Sequence, residues 1–155
     1  MKPISLTIEA FGPYRDSVTL DFNELQNHSM FLISGPTGAG KKSILDAMVY
    51  ALYGEPSGEV RKTDAIRSDF AEPQRMTRVD FSFAIGDARY RVERLPKQLV
   101  AKKRGTGMRE QNASATVYEM KDGEWKVIAT SAAAIRDTIQ RIIGFRKDQF
   151  LPRSE

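Results

Sequence analysis

Polar and apolar positions alternate in six short stretches of the chain, and each alternation predicts a half-buried β-strand. The stretches cover residues 4–8, 18–22, 79–85, 88–94, 116–120 and 125–128. Turn-forming residues separate the members of each pair, at Gly12-Pro13, Gly86-Asp87 and 121–124. The pattern therefore predicts that a tight turn joins the strands of each pair into a β-hairpin. For 4–8 and 18–22, two neighbouring antiparallel strands are the alternative.

A continuous apolar run at 30–33 is typical of a strand that is covered on both faces. The segment 44–53 is apolar nearly all round, which predicts a buried helix, and Gly54 provides a C-terminal stop. The polar residues 55–76 include two prolines and show no periodicity, so we expect a loop there.

A second helix is predicted near the end of the chain. Either Thr130 or Ser131 can cap its N-terminus, and it runs to about Ile143, where Gly144 follows. Residues from Phe145 onward are expected to be irregular.

Composition excludes several kinds of site. The 155 residues fit one domain, and 41% hydrophobic with 28% charged residues is typical of a globular protein. The absence of cysteine and the single histidine, His28, exclude disulfides, thiolate zinc sites, a cysteine nucleophile and a histidine-rich metal centre. No run approaches the roughly 20 apolar residues of a membrane span, and the N-terminus lacks a signal-peptide pattern. We therefore expect a cytoplasmic protein with no membrane partner.

The formal net charge of +4 is concentrated in one segment. Eight basic residues and only one acidic residue, Glu93, lie between Arg89 and Arg109. We predict that 94–114 is a basic loop and that Lys102, Lys103 and Arg104 are its candidate contacts to a DNA backbone. A solvated surface loop is the alternative. No aromatic residue interrupts the basic run from 94 to 109, which argues against stacking on single-stranded bases.

The sequence GPTGAGKKS at 35–43 fits the phosphate-loop pattern G-x-x-x-x-G-K, and it lies between the predicted strand and helix as that motif requires. Glycines let the backbone approach a phosphate, successive N–H groups form an anion nest, and the helix N-terminus adds its positive dipole. A glycine-rich turn is the alternative. The candidate nucleotide-binding residues are Gly35, Pro36, Thr37, Gly38, Ala39, Gly40, Lys41, Lys42 and Ser43.

Lys42 departs from the motif. A Ser or Thr hydroxyl at that position ligates Mg²⁺ beside the nucleotide, whereas an ammonium repels the cation. We expect weak phosphate binding, and hydrolysis that is absent or very slow. The alternatives are that Lys42 pairs with Asp46 one turn later, or that another group supplies the metal ligand.

The chain resembles the N-terminal ATPase segment of the SbcC-type, SMC-like ATPases of DNA double-strand-break repair. The resemblance is carried by MKPISLTIEAFGPYRDSVTLDF and by FLISGPTGAGK-x-SILDAMVYALYGE, and it extends over residues 1 to about 151. The segment Phe11-Gly12-Pro13-Tyr14 and the helix start at Ser43 narrow the choice among phosphate-loop families.

This resemblance implies an α/β P-loop NTPase fold, the first lobe of an ABC-type head with an antiparallel β subdomain, and 1–155 as a single partial ATPase domain. It implies ATP and Mg²⁺ as cofactors, with ATP held between two heads of a homodimer. It also implies three partners: the C-terminal half of the head, an SbcD-like nuclease and double-stranded DNA ends. In such a head Arg15 is a candidate to approach the nucleotide, and Arg61, Lys62 and Arg67 are ambiguous between that role and the surface.

Catalytic parts of such ATPases are missing from this sequence. No apolar run ends in Asp-Glu, which would hold the metal and activate water, and no Ser-Gly-Gly signature is present. We therefore name no catalytic residue and expect the chain alone to be inactive as an ATPase. Two other functions stay open: a nucleic-acid-binding module with a vestigial phosphate loop, and a small P-loop kinase or GTPase.

Overall fold

A computed structural model of the chain describes residues 1–25, 27–28, 32–56 and 66–145. These residues form eight strands, two α-helices and a short 3-10 helix at Asn23–Leu25. In chain order the elements are β1 (Lys2–Phe11), β2 (Tyr14–Asp21), α1 (Lys41–Tyr53), β3 (Arg78–Ile85), β4 (Ala88–Leu95), β5 (Gln98–Ala101), β6 (Met108–Gln111), β7 (Ser114–Lys121), β8 (Glu124–Ala129) and α2 (Ala132–Ile143).

Six strands form one sheet in the order β2-β1-β3-β4-β7-β8, and every neighbouring pair is antiparallel. The three predicted hairpins are β1–β2, β3–β4 and β7–β8, so the alternation located them correctly. The register brings Thr7 opposite Thr19 on the polar face, where their hydroxyls are 2.9 Å apart.

The core lies between one face of this sheet and the two α-helices. Alternate strand residues point inward, because side chains along a strand alternate between the two faces. Helix α1 contributes eight buried residues to this packing, which confirms the predicted buried helix, while α2 contributes a narrower apolar stripe. The central buried side chains are Leu6, Ile8, Val79, Phe81, Phe83, Val92, Val117, Ala47, Tyr50, Ala51, Ile135 and Ile139.

Each end of α2 is closed as its sequence predicts. The Ser131 hydroxyl accepts a hydrogen bond from the N–H of Ala134 at 3.2 Å, so Ser131 is the cap rather than Thr130. At the other end Gly144 has φ 77° and donates to the carbonyl of Gln140 at 2.9 Å. Neither described helix is long and apolar enough to cross a membrane.

Arg94 of β4 reaches across the core to the C-terminal end of α1. Its Nε donates to the carbonyl of Ala51 at 3.0 Å, its Nη2 donates to that of Leu52 at 3.4 Å, and the guanidinium lies 6.0 Å from the centre of the Tyr50 ring. Burial lowers the pKa of Arg94. The last carbonyls of a helix have no partner within the helix, so this cation satisfies them and complements the helix dipole.

The prediction that 94–114 is one loop is wrong, because β5 and β6 form a second, two-stranded sheet there. The buried Gln98 side chain accepts from the N–H of Thr77 at 2.7 Å and donates to the Thr77 carbonyl at 3.0 Å. A buried amide thus anchors the first strand of this hairpin. The hydrophobic pattern cannot reveal such an anchor, since glutamine counts as polar.

The predicted strand at 30–33 is not confirmed. Residues 30 and 31 lie outside the described residues, and Leu32 and Ile33 are in no strand, with 87% and 39% of their surface exposed. The expectation of burial on both faces is therefore wrong for these two residues. Within the described residues, no strand runs beside them to cover their side chains.

Replacing Arg94 with Met should lower the free energy of unfolding by about 2–3 kcal/mol, because two hydrogen bonds from a charged donor are lost and helix carbonyls are left buried. Urea unfolding monitored by circular dichroism measures this loss. Arg89 is exposed on the same strand, so Arg89→Met is the matched control and should change stability by less than about 0.5 kcal/mol. Equal effects of the two substitutions would contradict the capping role.

Candidate functional site

The phosphate loop leads directly into α1. Gly38 and Gly40 both have φ 84°, a left-handed conformation that L side chains rarely adopt. Gly40 is the N-cap of the helix, and the N–H of Ser43 donates to its carbonyl at 3.0 Å. Gly38 and Gly40 thus stand where the backbone favours glycine, and the N-terminus of α1 lies at the end of the loop.

The turn between β1 and β2 packs against Gly40. The Tyr14 hydroxyl donates to the Gly40 carbonyl at 3.2 Å. A Cβ atom at Gly40 would lie 2.9 Å from Tyr14 Oη, closer than Cβ atoms normally approach, and 3.0 Å from Pro13 Cγ, which is a tight contact. By contrast, a Cβ at Gly38 would meet nothing within 4 Å. The loop therefore contacts the β1–β2 turn at Gly40 but not at Gly38.

Lys41 folds back over the loop. Its Nζ donates to the carbonyl of Gly35 at 2.6 Å and to that of Pro36 at 2.7 Å. An ammonium has three donors, so these two bonds hold the charge above the loop and leave donor capacity for an anion. This is the position from which a phosphate-loop lysine can reach a phosphate.

A cleft of about 750 Å³ opens beside the loop. Its volume falls within the range of sites that take a whole small ligand, roughly 300–1,000 Å³. Three segments form its walls: the β1–β2 turn, the loop with the first turn of α1, and residues 67–70. The lining residues are Gly12, Pro13, Thr37, Gly38, Gly40, Lys41, Lys42, Ser43, Arg67, Asp69 and Phe70.

The wall at 67–70 is tied to the end of β1. The N–H of Gly12 donates to the carbonyl of Ile66 at 2.9 Å, and the N–H of Ser68 donates to that of Ala10 at 2.8 Å. Ile66 and Ser68 are both buried. The sequence pattern does not distinguish this part of the loop after α1 from the rest, and only these tertiary contacts bring it to the cleft.

Arg67 lines the cleft, yet its guanidinium is engaged elsewhere. It donates to the carbonyl of Glu72 at 2.8 Å and also to that of Arg75. Burial lowers the pKa of Arg67. We conclude that this arginine chiefly braces its own segment. The other two ambiguous residues, Arg61 and Lys62, lie outside the described residues.

The structure places Arg15 outside the lining of the cleft. Its side chain is 70% exposed and pairs with the neighbouring Asp16 at 2.9 Å. The hydrogen bond to Asp16 raises the pKa of Arg15. A role at the nucleotide stays a prediction for this residue.

The metal side of the site fits less well than the phosphate side. Lys42 and Ser43 both line the cleft, and Ser43 is buried. Asp46, the alternative partner for Lys42, is buried as well. The part of the chain that the structure describes holds no group of three or more His, Asp or Glu residues able to bind a metal ion. The residues present suit phosphates, and an ammonium occupies the position of the expected metal ligand.

The candidate DNA contacts gather at the tip of the β5–β6 hairpin. Lys102, Lys103 and Arg104 are all exposed in the turn, where the N–H of Lys102 donates to the Gly107 carbonyl at 3.1 Å. The structure thus brings the three predicted residues together on a projecting turn. Further down the hairpin, Lys97 and Glu110 form an ion pair at 3.1 Å. The tip is therefore the more strongly basic part of the hairpin.

Comparisons with known proteins agree with the resemblance in the sequence. A family model described as an AAA domain matches residues 5–154. The chain is 41% identical over 150 residues to the SbcC subunit of the SbcCD nuclease from Vibrio cholerae, and the match covers 97% of this chain and 15% of that protein. The SbcC subunit from Lactococcus lactis is 42% identical over 153 residues, covering 97% of this chain and 14% of the relative.

The SbcC subunit from Staphylococcus aureus strain MRSA252 is 36% identical over 160 residues, covering all of this chain and 15% of the relative. The chain thus spans about one seventh of the length of these relatives, and it matches their N-terminal segment. A mainly antiparallel sheet with few helices is consistent with a P-loop NTPase.

Replacing Gly40 with Ala should cost more stability than replacing Gly38 with Ala. Both substitutions force alanine into φ 84°, at a cost of about 1–2 kcal/mol, but only the first meets Tyr14 and Pro13. Urea unfolding of the two variants separates the shared backbone strain from the clash. Equal losses of free energy would show that the β1–β2 turn does not constrain the loop.

Proposed function

The chain belongs to the AAA domain family, and we propose that it is the ATP-binding N-terminal lobe of an SbcC-like subunit of a DNA-repair nuclease complex. The observation that carries this proposal is the phosphate loop at the N-terminus of α1, where Lys41 Nζ lies 2.6–2.7 Å from two loop carbonyls. The match to subunits of the SbcCD nuclease supports the place of this lobe in a larger protein.

The chain's own residues account for binding of the phosphates. N–H groups of the loop and of the first turn of α1 donate to phosphate oxygens, and the helix dipole favours negative charge there. Lys41 supplies a mobile charge, because its ammonium can move from the loop carbonyls to the β- and γ-phosphates. The Tyr14 contact keeps the backbone in place while the ligand enters, so binding needs little reorganisation of the loop.

The groups that hydrolysis of ATP requires are not all present in this chain. Bound Mg²⁺ would neutralise charge between the β- and γ-phosphates, but Lys42 stands where its hydroxyl ligand belongs. The sequence also offers no Asp-Glu pair to hold the metal and activate water. We propose that this chain binds ATP weakly and does not turn it over on its own.

The proposed function also implies partners for the exposed apolar residues near the phosphate loop. Leu32, Ile33 and Leu45 lie close to the phosphate loop in sequence and leave 39–87% of their surface exposed. We propose that the C-terminal half of an ATPase head covers them. A second head, an SbcD-like nuclease and double-stranded DNA ends complete the proposed assembly, which we assign to the cytoplasm and the nucleoid.

A nucleic-acid-binding module with a vestigial phosphate loop is the second candidate. The exposed basic tip of the β5–β6 hairpin favours it, because Lys102, Lys103 and Arg104 project together from the fold. This candidate requires DNA binding that does not depend on ATP. A small P-loop kinase or GTPase is less well supported, since the family match covers residues 5–154 and the relatives are SbcCD subunits.

We expect isothermal titration calorimetry to detect ATP binding to the unmodified chain, and Lys41→Ala to weaken it by about 10- to 100-fold through loss of a charged contact.

Replacing Lys42 with Ser should strengthen binding in the presence of Mg²⁺, because it restores a hydroxyl ligand. Phosphate-release assays should show no turnover by either form. Robust hydrolysis by the unmodified chain would disprove the proposed inactivity, and a complete lack of ATP binding would leave the vestigial loop as the better account.

Replacing Lys102, Lys103 and Arg104 together with Ser should weaken binding of a double-stranded oligonucleotide if the tip contacts the phosphate backbone. Each lost contact lowers the slope of log K against log salt by about 0.9, so a change of about 2–3 is expected for three contacts. Fluorescence anisotropy at two or more salt concentrations measures it. Serine at Lys121, Lys126 and Arg136 removes the same charge from other exposed positions and is the matched control. Equal effects of the two triple variants would assign binding to net charge alone.

A further inference from the structure

Phe70 is an exposed aromatic residue on the wall of the nucleotide cleft. Its surface is 75% exposed, although the cleft beside it is large enough, at about 750 Å³, to hold a ligand. Other large aromatic side chains contribute to the core, as Phe11, Phe81 and Phe83 do with 0–1% exposure. A ring left in water forgoes the free energy of burial, and a ligand in the neighbouring cleft could supply that burial.

The backbone that carries Phe70 is held firmly. Ser68 anchors it: its own N–H is bonded to β1, its carbonyl accepts from the N–H of Ala71 at 3.2 Å, and its hydroxyl accepts from the N–H of Phe70 at 3.4 Å. The ring is thus presented from a fixed turn. A preorganised aromatic surface costs little conformational entropy when a flat ligand stacks on it.

The two walls of the cleft differ in charge. Lys41 and Lys42 lie on the phosphate-loop wall, whereas Asp69 lies beside Phe70 on the other wall. A carboxylate repels a triphosphate, so the phosphates are directed to the loop and the uncharged part of the ligand is directed toward Phe70. The Arg67 guanidinium on the same wall balances the charge of Asp69, so the preference rests on the two lysines of the phosphate-loop wall.

We propose that Phe70 is the stacking surface for the base of the nucleotide whose phosphates occupy the loop at 35–43. This inference rests on the proposed function and adds a base subsite to it. Stacking uses the π-face that all bases share, so Phe70 provides affinity for a nucleoside and not a choice among bases. The same ring contributes nothing to an inorganic polyphosphate, and this difference makes the proposal testable.

The test compares ATP with inorganic tripolyphosphate in titrations of the full chain. Replacing Phe70 with Ala should weaken ATP binding by about 5- to 100-fold and leave tripolyphosphate binding unchanged, since stacking contributes about 1–3 kcal/mol per base. Phe70→Trp should retain the affinity for ATP. Its added indole should also change fluorescence with ATP but not with tripolyphosphate. Phe145→Ala is the matched control, because Phe145 is 54% exposed and lines a different groove.

Each other outcome overturns the proposal in a distinct way. Equal weakening of both ligands by Phe70→Ala would make Phe70 a structural residue of the cleft wall. Unchanged ATP binding would place the base elsewhere while the phosphate site stands. If the unmodified chain binds tripolyphosphate as tightly as ATP, the base has no subsite. If it binds neither, the proposed function fails together with this inference.

Discussion

The β1–β2 turn packs against Gly40 so closely that a side chain there would displace Tyr14 or Pro13, and this contact joins the phosphate loop to the sheet. A Cβ at this glycine would lie 2.9 Å from the Tyr14 hydroxyl oxygen, which itself donates to the Gly40 carbonyl. Burial raises the pKa of Tyr14, so its hydroxyl keeps the proton that it donates well above neutral pH. The turn also forms one wall of the cleft through Gly12 and Pro13. The same turn therefore contacts the loop and lines the space beside it.

Helix α1 connects this contact to the core of the domain. Its inner face is buried against the sheet through Ala47, Tyr50 and Ala51, and Arg94 closes its C-terminal end. The axis of the helix is therefore fixed, and with it the direction in which its N-terminal N–H groups point. The helix dipole acts on charges near the first turn of the helix. Packing that orients α1 therefore also orients the dipole toward the loop.

Features that repeat along the chain could be predicted, and features that depend on one tertiary contact could not. The strands of the large sheet follow from alternation, and the ends of α2 follow from Ser131 and Gly144. Strand β5 depends on the buried amide of Gln98 bonding Thr77, a contact that no period encodes. Arg15 could be predicted as a candidate for the nucleotide site because it follows the first turn in sequence. The place of Phe70 at the cleft could not be predicted, because hydrogen bonds between residues 66–68 and the end of β1 bring it there.

Two adjacent lysines at the N-terminus of α1 give the site its particular chemistry. Positive charge at the N-terminus of a helix is unfavourable, because the dipole is positive there too. Lys41 is held by two loop carbonyls, whereas Lys42 lies at the cleft. A bound polyphosphate relieves this repulsion, so the arrangement favours an anion without needing a metal ion to neutralise it. An ammonium supplies one of the two positive charges of Mg²⁺ but not its coordination, because it is not a metal centre with fixed ligand directions. On the proposed function, Lys42 therefore supports binding of a nucleotide, but the hydroxyl ligand that would position Mg²⁺ for hydrolysis is absent from this position.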